Sequence, residues 1–255
     1  MFAFRNDPGT DGVGVAFTDR HGGVSRGGFA SLNLGRTDED ALADVAQNFD
    51  RVAAELGVAS LYVVHQVHGT QVVVAGAEEL ASWGPKSALG DAVPGQPRID
   101  VADAIVTAET GVALCVRVAD CLPVVLADPA SRVIGVAHAG REGLAAGVLP
   151  ETVEAMRRAG AEQIAAWIGP HICGRCYEVG DDVAERVGRR LPEAVAKTAW
   201  GTTSLDLGAA AIAQLEALEC SLRWVGPCTR TSPDLFSHRR DGAQAGRQAG
   251  LAWLT

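Results

Sequence analysis

The amino-acid sequence predicts a single α+β domain, an α-β sandwich built on a largely buried sheet. Short apolar segments separated by Gly, Asp and Pro dominate the middle of the chain, and amphipathic helix-like segments stand on both sides of them. At 255 residues with 47% hydrophobic residues, the chain can bury a substantial core. The Gly- and Pro-rich stretch 82–100 is the best linker candidate, but the apolar pattern continues beyond it. We interpret it as a surface loop within one domain that spans residues 1–255.

The amino-terminal part of the chain predicts a strand followed by an amphipathic helix. Residues 13–18 alternate as a strand does. The helix then ends at Gly57, and Thr37 or Asp38 is suited to cap its start. Its apolar residues share one face: Leu42, Val45, Phe49, Val52 and Leu56.

The remaining elements follow in order along the chain. A pair of strands is expected at 61–67 and 71–75, broken at 68–70. Further β-rich segments are predicted at 104–107, 113–118, 122–127 and 133–137. Helices are predicted around 151–158, 181–191, 205–219 and 243–253, with strands at 164–168 and 222–225.

The charge of the chain argues against nucleic acid as a partner. The formal net charge is -9, whereas binding to a phosphate backbone requires clustered Lys and Arg. The densest basic cluster, which comprises Arg239, Arg240 and Arg247, suffices for one phosphate or carboxylate group.

The sequence also argues against a membrane partner. The longest apolar stretch, 111–127, is interrupted by Arg117 and Asp120, and residues 1–12 do not resemble a secretory signal. We therefore expect a cytoplasmic protein, and a monomer, with six reduced cysteines. Cys173 and Cys176 form a lone CxxC pair, which we interpret as packing residues.

Three potential metal ligands stand at predicted strand ends beside turns: His68, Cys121 and His138. Two imidazoles and one thiolate suit Zn²⁺, and three protein ligands leave the fourth position open for catalysis. Their spacing is not diagnostic, because a single buried cysteine is commonly a small apolar core residue. The residues alone leave zinc binding and core packing both open.

Seven segments, in order over nearly the whole chain, closely resemble the YfiH family. They are RHGGVS (20–25), SLNLG (31–35), QVHGT (66–70), ADCLPV (119–124), AHAG (137–140), IGP with CYEVG (168–170 and 176–180) and RRDG with GR (239–242 and 246–247). Members of this family are described variously as laccase-domain proteins or polyphenol oxidases and as purine nucleoside phosphorylases.

The resemblance implies a fold, a metal site and an activity. The fold is a single α-β-β sandwich with mixed sheets, similar to that of certain bacterial toxin deamidases. The zinc ligands are His68, Cys121 and His138. The implied reactions are phosphorolysis of adenosine, inosine, guanosine and methylthioadenosine, together with deamination of adenosine, so that a nucleoside and phosphate are the expected partners.

Several residues are candidates for binding the substrate or phosphate. Arg239 and Arg240, followed by Asp241-Gly242, could offer guanidinium groups to an anion, or could instead form ion pairs at the surface. Arg20 and Asn33 lie in matched segments and are similar candidates.

The segment after His138 departs from the family. Where relatives commonly read HAGWRG, this chain has Arg141 and Glu142 in place of Trp and Arg. Either Arg141 reaches the anion site from one position earlier, or phosphate binding is lost.

Deamination needs zinc to activate water and a general acid or base. Beside Cys121, which we assign a catalytic role as a ligand, Asp120 is the nearest candidate in sequence. The alternative for Asp120 is structural, because an Asp at a strand end often accepts hydrogen bonds within the turn.

Two other enzyme classes remain open. With Cys121 as nucleophile and His138 as base, the chain would be a hydrolase or amidase of the kind that edits cell-wall precursors, and zinc would inhibit it. Copper at the same three ligands would suit a laccase-like polyphenol oxidase, but six histidines without a His-x-His pair cannot supply a multicopper cluster. A non-catalytic metal-binding protein is the last alternative.

Overall fold

A computed structural model describes residues 1–36, 39–84, 87–92 and 99–255. The strands, in chain order, are β1 (Phe2–Asn6), β2 (Val13–Thr18), β3 (Ser60–Val63), β4 (Val72–Val74), β5 (Ala104–Thr107), β6 (Val112–Val118), β7 (Leu122–Asp128), β8 (Val133–Ala139), β9 (Ala165–Ile168), β10 (Val195–Lys197), β11 (Thr203–Leu205), β12 (Ser221–Val225) and β13 (Gln248–Leu254). The helices are α1 (Leu42–Leu56), α2 (Ala77–Ala81), α3 (Arg141–Ala146), α4 (Val148–Arg158), α5 (Asp181–Gly188), α6 (Leu207–Ala217) and α7 (His238–Asp241).

A five-stranded sheet in the order β1-β2-β13-β6-β3 forms one half of the sandwich. Its central strand, β13, was predicted as a helix at 243–253, and that prediction is wrong. All seven residues of β13 are buried, and the strand pairs antiparallel with both β2 and β6. A strand buried on both faces is apolar throughout and lacks the alternation that marks an exposed strand, so periodicity alone did not separate it from a helix.

A six-stranded sheet in the order β12-β9-β7-β8-β5-β4 forms the other half. The predicted strand pair at 61–67 and 71–75 is not a pair. β3 lies parallel to β6 in the first sheet, whereas β4 lies parallel to β5 in the second. The connecting segment therefore crosses from one sheet to the other, and His68 lies in that crossing.

The layers confirm the α+β sandwich with mixed sheets. Apolar side chains from both sheets fill the space between them, including Val15, Phe17, Leu114, Val125 and Ile134. Helices α3, α4 and α6 cover the other face of the six-stranded sheet. Helix α1 covers the outer face of the five-stranded sheet, so the structure adds a helical layer on that side.

Most of the predicted elements are present with shifted ends. Helix α1 ends at Gly57, which is left-handed with a φ of 71°, as predicted. The predicted caps Thr37 and Asp38 lie outside the described residues, and the helix begins after Ala41. Within the stretch 82–100, Ser87–Ala92 form a 3-10 helix. No helix in the described ranges is long and apolar enough to cross a membrane.

Candidate metal centre and its cavity

Strand pairing brings the three predicted ligands together. Cys121 directly precedes β7, and His138 lies in the neighbouring strand β8, where it is the register partner of Pro123. His68 reaches the same edge because β4, which follows it, pairs with β5, and β5 pairs with β8. The ligand atoms of all three residues lie within 4.8 Å of one another.

Two observations describe the space at the centre of this cluster, where an ion could be held. The ring centroids of His68 and His138 are 4.6 Å apart with the planes at 70°, so the rings converge without stacking. A Cβ atom added at Gly140 would lie 2.3 Å from Nδ1 of His68 and 3.2 Å from Sγ of Cys121. Glycine therefore keeps the space beside the ligands clear. Tetrahedral zinc with such ligands needs donor atoms about 3.3–3.7 Å apart, a separation that this arrangement can supply.

Asp103 orients two of the three ligands, although the sequence did not single it out. Its carboxylate is fully buried, and its Oδ1 accepts hydrogen bonds from Nδ1 of His138 at 2.7 Å and from the backbone N–H of His68 at 2.9 Å. Its Oδ2 accepts from the N–H groups of Gly69 and Val67 at 2.6 and 3.2 Å. A carboxylate behind a histidine fixes its tautomer, which leaves Nε2 for Cys121 or a metal.

The charges of the cluster are coupled. Burial alone would raise the pKa of Cys121, but hydrogen bonds with His138 and His68 lower it to about 6. Burial alone would lower the pKa of His138, but Asp103 and Cys121 raise it to about 9. Without a metal, the pair is therefore a thiolate and an imidazolium at neutral pH. The thiolate and the imidazole can both coordinate a soft cation once the imidazolium releases its proton.

The cluster opens into a cavity of about 790 Å³, which is within the range of small-molecule sites. The cationic and titratable side chains that line it, apart from the ligands, include Arg36, Arg117, Arg239, Arg247, His65 and His238. Burial lowers the pKa of Arg247, and the nearby charges of Cys121 and Asp120 offset only part of that decrease. This arginine therefore lies beside the metal cluster.

A partly buried cation, Arg117, contributes to the same wall. Burial lowers the pKa of Arg117, and the charges of Arg36 and Arg247 lower it further. Its Nη2 donates to the carbonyl of Val64 at 3.0 Å, whereas its buried Nε has no hydrogen-bond partner among the described residues. The cavity thus has a strongly positive side suited to an anion.

Four of the five predicted substrate-binding residues do not line this cavity, and three of them, Arg20, Asn33 and Arg240, hold neighbouring chain segments instead. Arg20 donates to the carbonyls of Ala30 and Gly28. Asn33 is fully buried and holds the backbone of Gly35 and of Arg247. The guanidinium of Arg240 donates to Asp241 and to carbonyls of the preceding loop. In the structure, the polar atoms of these three residues form hydrogen bonds with the backbone of loops near the site.

Arg239 and Arg141 are placed differently. Arg239 lines the cavity, with its guanidinium carbon 5.0 Å from the centre of the Tyr177 ring. Arg141 donates to Glu142 at 2.9 Å and lies 3.4 Å from the hydroxyl of Tyr177, outside the cavity lining. Of this pair, only Arg239 faces the space in front of the cluster.

Asp120 lines the cavity, but both of its carboxylate oxygens are engaged. Oδ1 accepts from the hydroxyl of Thr229 at 2.6 Å, and Oδ2 accepts from the backbone N–H of Arg239 at 2.6 Å. The residue is left-handed, with a φ of 89°, which directs Cys121 at the start of β7. These contacts support the structural alternative for Asp120 over the acid-base role.

Asp103 and Arg117 are residues near the centre that sequence reasoning did not assign, whereas Arg247 was named as part of the basic cluster suited to one anion. Asp103 stands directly before the predicted strand at 104–107, and that position was the available signal. Its pairing with His138 depends on the register of β5 against β8, which no local pattern reveals.

The fold and the site define a sandwich domain in which a His-Cys-His cluster that could hold a metal ion opens into a cavity. The chain belongs to the YfiH family: the matching family profile, described as multi-copper polyphenol oxidoreductase laccase, covers residues 14–255. Purine nucleoside phosphorylases of Streptomyces coelicolor and Corynebacterium glutamicum are 46% and 38% identical to it, over 96% and 97% of both chains.

Two solved structures show the same fold. The crystal structure of Neisseria meningitidis protein NMB0706 is 35% identical, has a TM-score of 0.80 and is matched over 99% of this chain and 98% of its own. That of Bacillus licheniformis YfiH, described as a hypothetical protein, is 28% identical, has a TM-score of 0.84 and is matched over 95% and 93%.

Proposed function

We propose that the chain is a zinc-dependent purine nucleoside phosphorylase of the cytoplasm, active as a monomer on adenosine, inosine, guanosine and methylthioadenosine, and that it also deaminates adenosine. The observation that carries the proposal is the His68-Cys121-His138 cluster, which opens into a cavity with an arginine-lined side. The relatives named purine nucleoside phosphorylase, matched over nearly their full length, support it.

In this proposal the three clustered side chains hold the zinc ion, which when bound would supply Lewis acidity. Asp103 keeps His138 and the His68 loop in place, because its four hydrogen bonds join both. The thiolate of Cys121 balances part of the positive charge. Cys121 and His138 lie at strand ends, whereas His68 lies in the segment between β3 and β4, whose N–H groups donate to Asp103.

Phosphorolysis also needs a bound anion, and we assign that task to Arg247, Arg239 and Arg117. All three line the cavity. A phosphate held there would attack C1′ of the ribose as the bond from C1′ to N9 of the base breaks, and the departing base takes up a proton. Guanidinium groups neutralise the anion and fix its orientation, which are their usual contributions in phosphate sites.

The test is product analysis with zinc-loaded protein and adenosine, with and without phosphate. We expect adenine and ribose 1-phosphate only with phosphate, inosine in either case, and loss of all products in Cys121→Ala. Arg247→Gln should raise the KM for phosphate at least about ten-fold, the scale of a lost charged hydrogen bond. The exposed arginine variant Arg158→Gln is the matched control and should leave it unchanged. Absence of every product from the wild type would overturn the proposal.

A cysteine hydrolase is the second candidate, and Asp103 is the observation that favours it. Cys121, His138 and Asp103 form a chain of hydrogen bonds with the arrangement of a nucleophile, a base and an orienting carboxylate. Zinc decides between the two functions. A thiolate engaged by zinc is a poor nucleophile, so chelation should activate a hydrolase and inactivate the nucleoside enzyme.

A copper-dependent polyphenol oxidase is the third candidate, supported by the name of the family profile. Copper could occupy the same three ligands. Among the described residues, the other cluster with metal-ligand geometry consists of three cysteines, whereas multicopper centres use dense histidine sets. Oxidase turnover that persists with zinc alone in the protein would contradict a copper role.

A further inference from the structure

Three thiols meet at a second place in the fold. Cys173 and Cys176 lie in the turn that follows β9, and Cys228 lies in the loop that follows β12. Because β9 and β12 pair in parallel, both loops leave the same edge of the sheet, and a bridge between His171 and Cys228 extends that pairing. The three Sγ atoms lie within 4.8 Å of one another.

The thiols are free and accessible to different degrees. Cys176 is buried, whereas Cys173 and Cys228 are partly exposed, so an ion can reach the cluster from solvent. The backbone N–H of Cys173 points at Sγ of Cys228 at 3.5 Å, and the N–H of Cys176 donates to the carbonyl of Cys173 at 2.9 Å. This compact turn directs its first thiol toward the neighbouring loop.

We propose that Cys173, Cys176 and Cys228 bind a second metal ion, Zn²⁺, through three thiolates, with water in the fourth position. The donor set is entirely sulfur, and thiolates select zinc and other soft ions. A disulfide would use two of the thiols and strand the third, whereas one ion uses all three. The interpretation of Cys173 and Cys176 as packing residues, drawn from the sequence, did not take Cys228 into account.

The ion would join two loops that both contact Asp120, a residue of the cavity lining. The first loop also carries Ile172, whose N–H donates to the carbonyl of Asp120 at 2.9 Å. The second carries Thr229, whose hydroxyl donates to the carboxylate of Asp120. Both loops thus donate hydrogen bonds to Asp120, the residue that precedes Cys121. A metal ion bound between the two loops would make the segment that carries Cys121 more rigid.

Metal counting on the intact protein tests the proposal. After purification under reducing conditions and dialysis against a weak chelator, we expect two zinc ions per chain by elemental analysis. Cys121→Ser should retain one, Cys228→Ser should retain one, and the double variant none. Cys220→Ser is the matched control, because this buried thiol stands outside both clusters, and it should retain two.

The Cys121→Ser protein decides the question even if substitution of Cys228 prevents folding. One bound zinc in that variant, replaceable by Co²⁺ with intense sulfur-to-cobalt charge-transfer absorption, supports the site. A metal-free Cys121→Ser protein, or a native mass two hydrogens lower with Cys173 and Cys176 or Cys228 joined as a disulfide, overturns it. Neither readout depends on the enzymatic activity.

Discussion

Replacing Asp103 with asparagine should weaken zinc binding because this carboxylate orients two ligands at once. In the variant, the amide oxygen can still accept from His138 and from the N–H of His68. The amide nitrogen, which is a donor, would then face the N–H groups of Gly69 and Val67, so both of these hydrogen bonds would be lost. Loss of such an outer carboxylate typically costs 10–100-fold in metal affinity, or about 1.4–2.7 kcal/mol.

An opposing effect of the same substitution depends on pH. The carboxylate of Asp103, together with Cys121, raises the pKa of His138 to about 9, so at pH 7 the wild type must release a proton from His138 before zinc binds. In the variant the pKa of His138 is lower, so less free energy is needed to deprotonate this residue when zinc binds at pH 7. Above pH 9 the wild type no longer has this cost, and the affinity difference between the two proteins should therefore be larger at pH 9.5 than at pH 7.

The assay is a competitive zinc titration against a chromophoric chelator at both pH values, with folding verified by circular dichroism. Asp128→Asn is the matched control, because Asp128 is buried and both of its oxygens accept backbone N–H groups away from the cluster. Both substitutions should lower the free energy of unfolding by about 2–6 kcal/mol, from ~1–3 kcal/mol per orphaned donor. Equal zinc affinity of Asp103→Asn and wild type at pH 9.5, or equal weakening in Asp128→Asn, would refute the reasoning.

Three further outcomes follow from the site and the core. In metal-free protein, alkylation of Cys121 should be half-maximal near pH 6, fall below it as the thiolate protonates, and be blocked by zinc; a midpoint near the ordinary 8.5 would contradict the coupling. Gly140→Ala should abolish tight zinc binding, because its Cβ would lie 2.3 Å from Nδ1 of His68, whereas Gly9→Ala, with no atom closer than 3.8 Å, should not. Gly250→Ala in β13 should destabilise the fold by about 1–3 kcal/mol in urea unfolding, and an unchanged midpoint would show that the sheets can separate there.

The fold was predictable where a pattern is local. Helix α1 has an apolar face and a terminal glycine, and both signals lie within its own residues. Strand β13 has no such signal, because its identity as a strand comes from β2 and β6 on its two sides. For the same reason the segment around His68 was predicted as a turn within a strand pair, although it connects two different sheets.

The same distinction between local and long-range signals applies to the residues of the candidate site. The ligands could be proposed because histidine and cysteine suit zinc and because the segments that carry them resemble the YfiH family. Asp103 and Arg117 have ordinary local surroundings, and their relation to the centre arises from strand register and burial. Conversely, Arg20, Asn33 and Arg240 lie in matched segments, yet the structure uses their polar atoms to hold loops.

The exchange at Arg141 and Glu142 need not remove the anion site. Glu142 accepts from Arg141 at 2.9 Å and from Arg186 at 3.0 Å, so its charge is balanced within a partly exposed network. The cations that line the cavity come from other segments, notably Arg239 and Arg247. Because electrostatic attraction depends on where the charges stand in space, a reversal within this network changes the field at the cluster little. Phosphate binding should therefore depend on Arg247 and be insensitive to the charge at position 142.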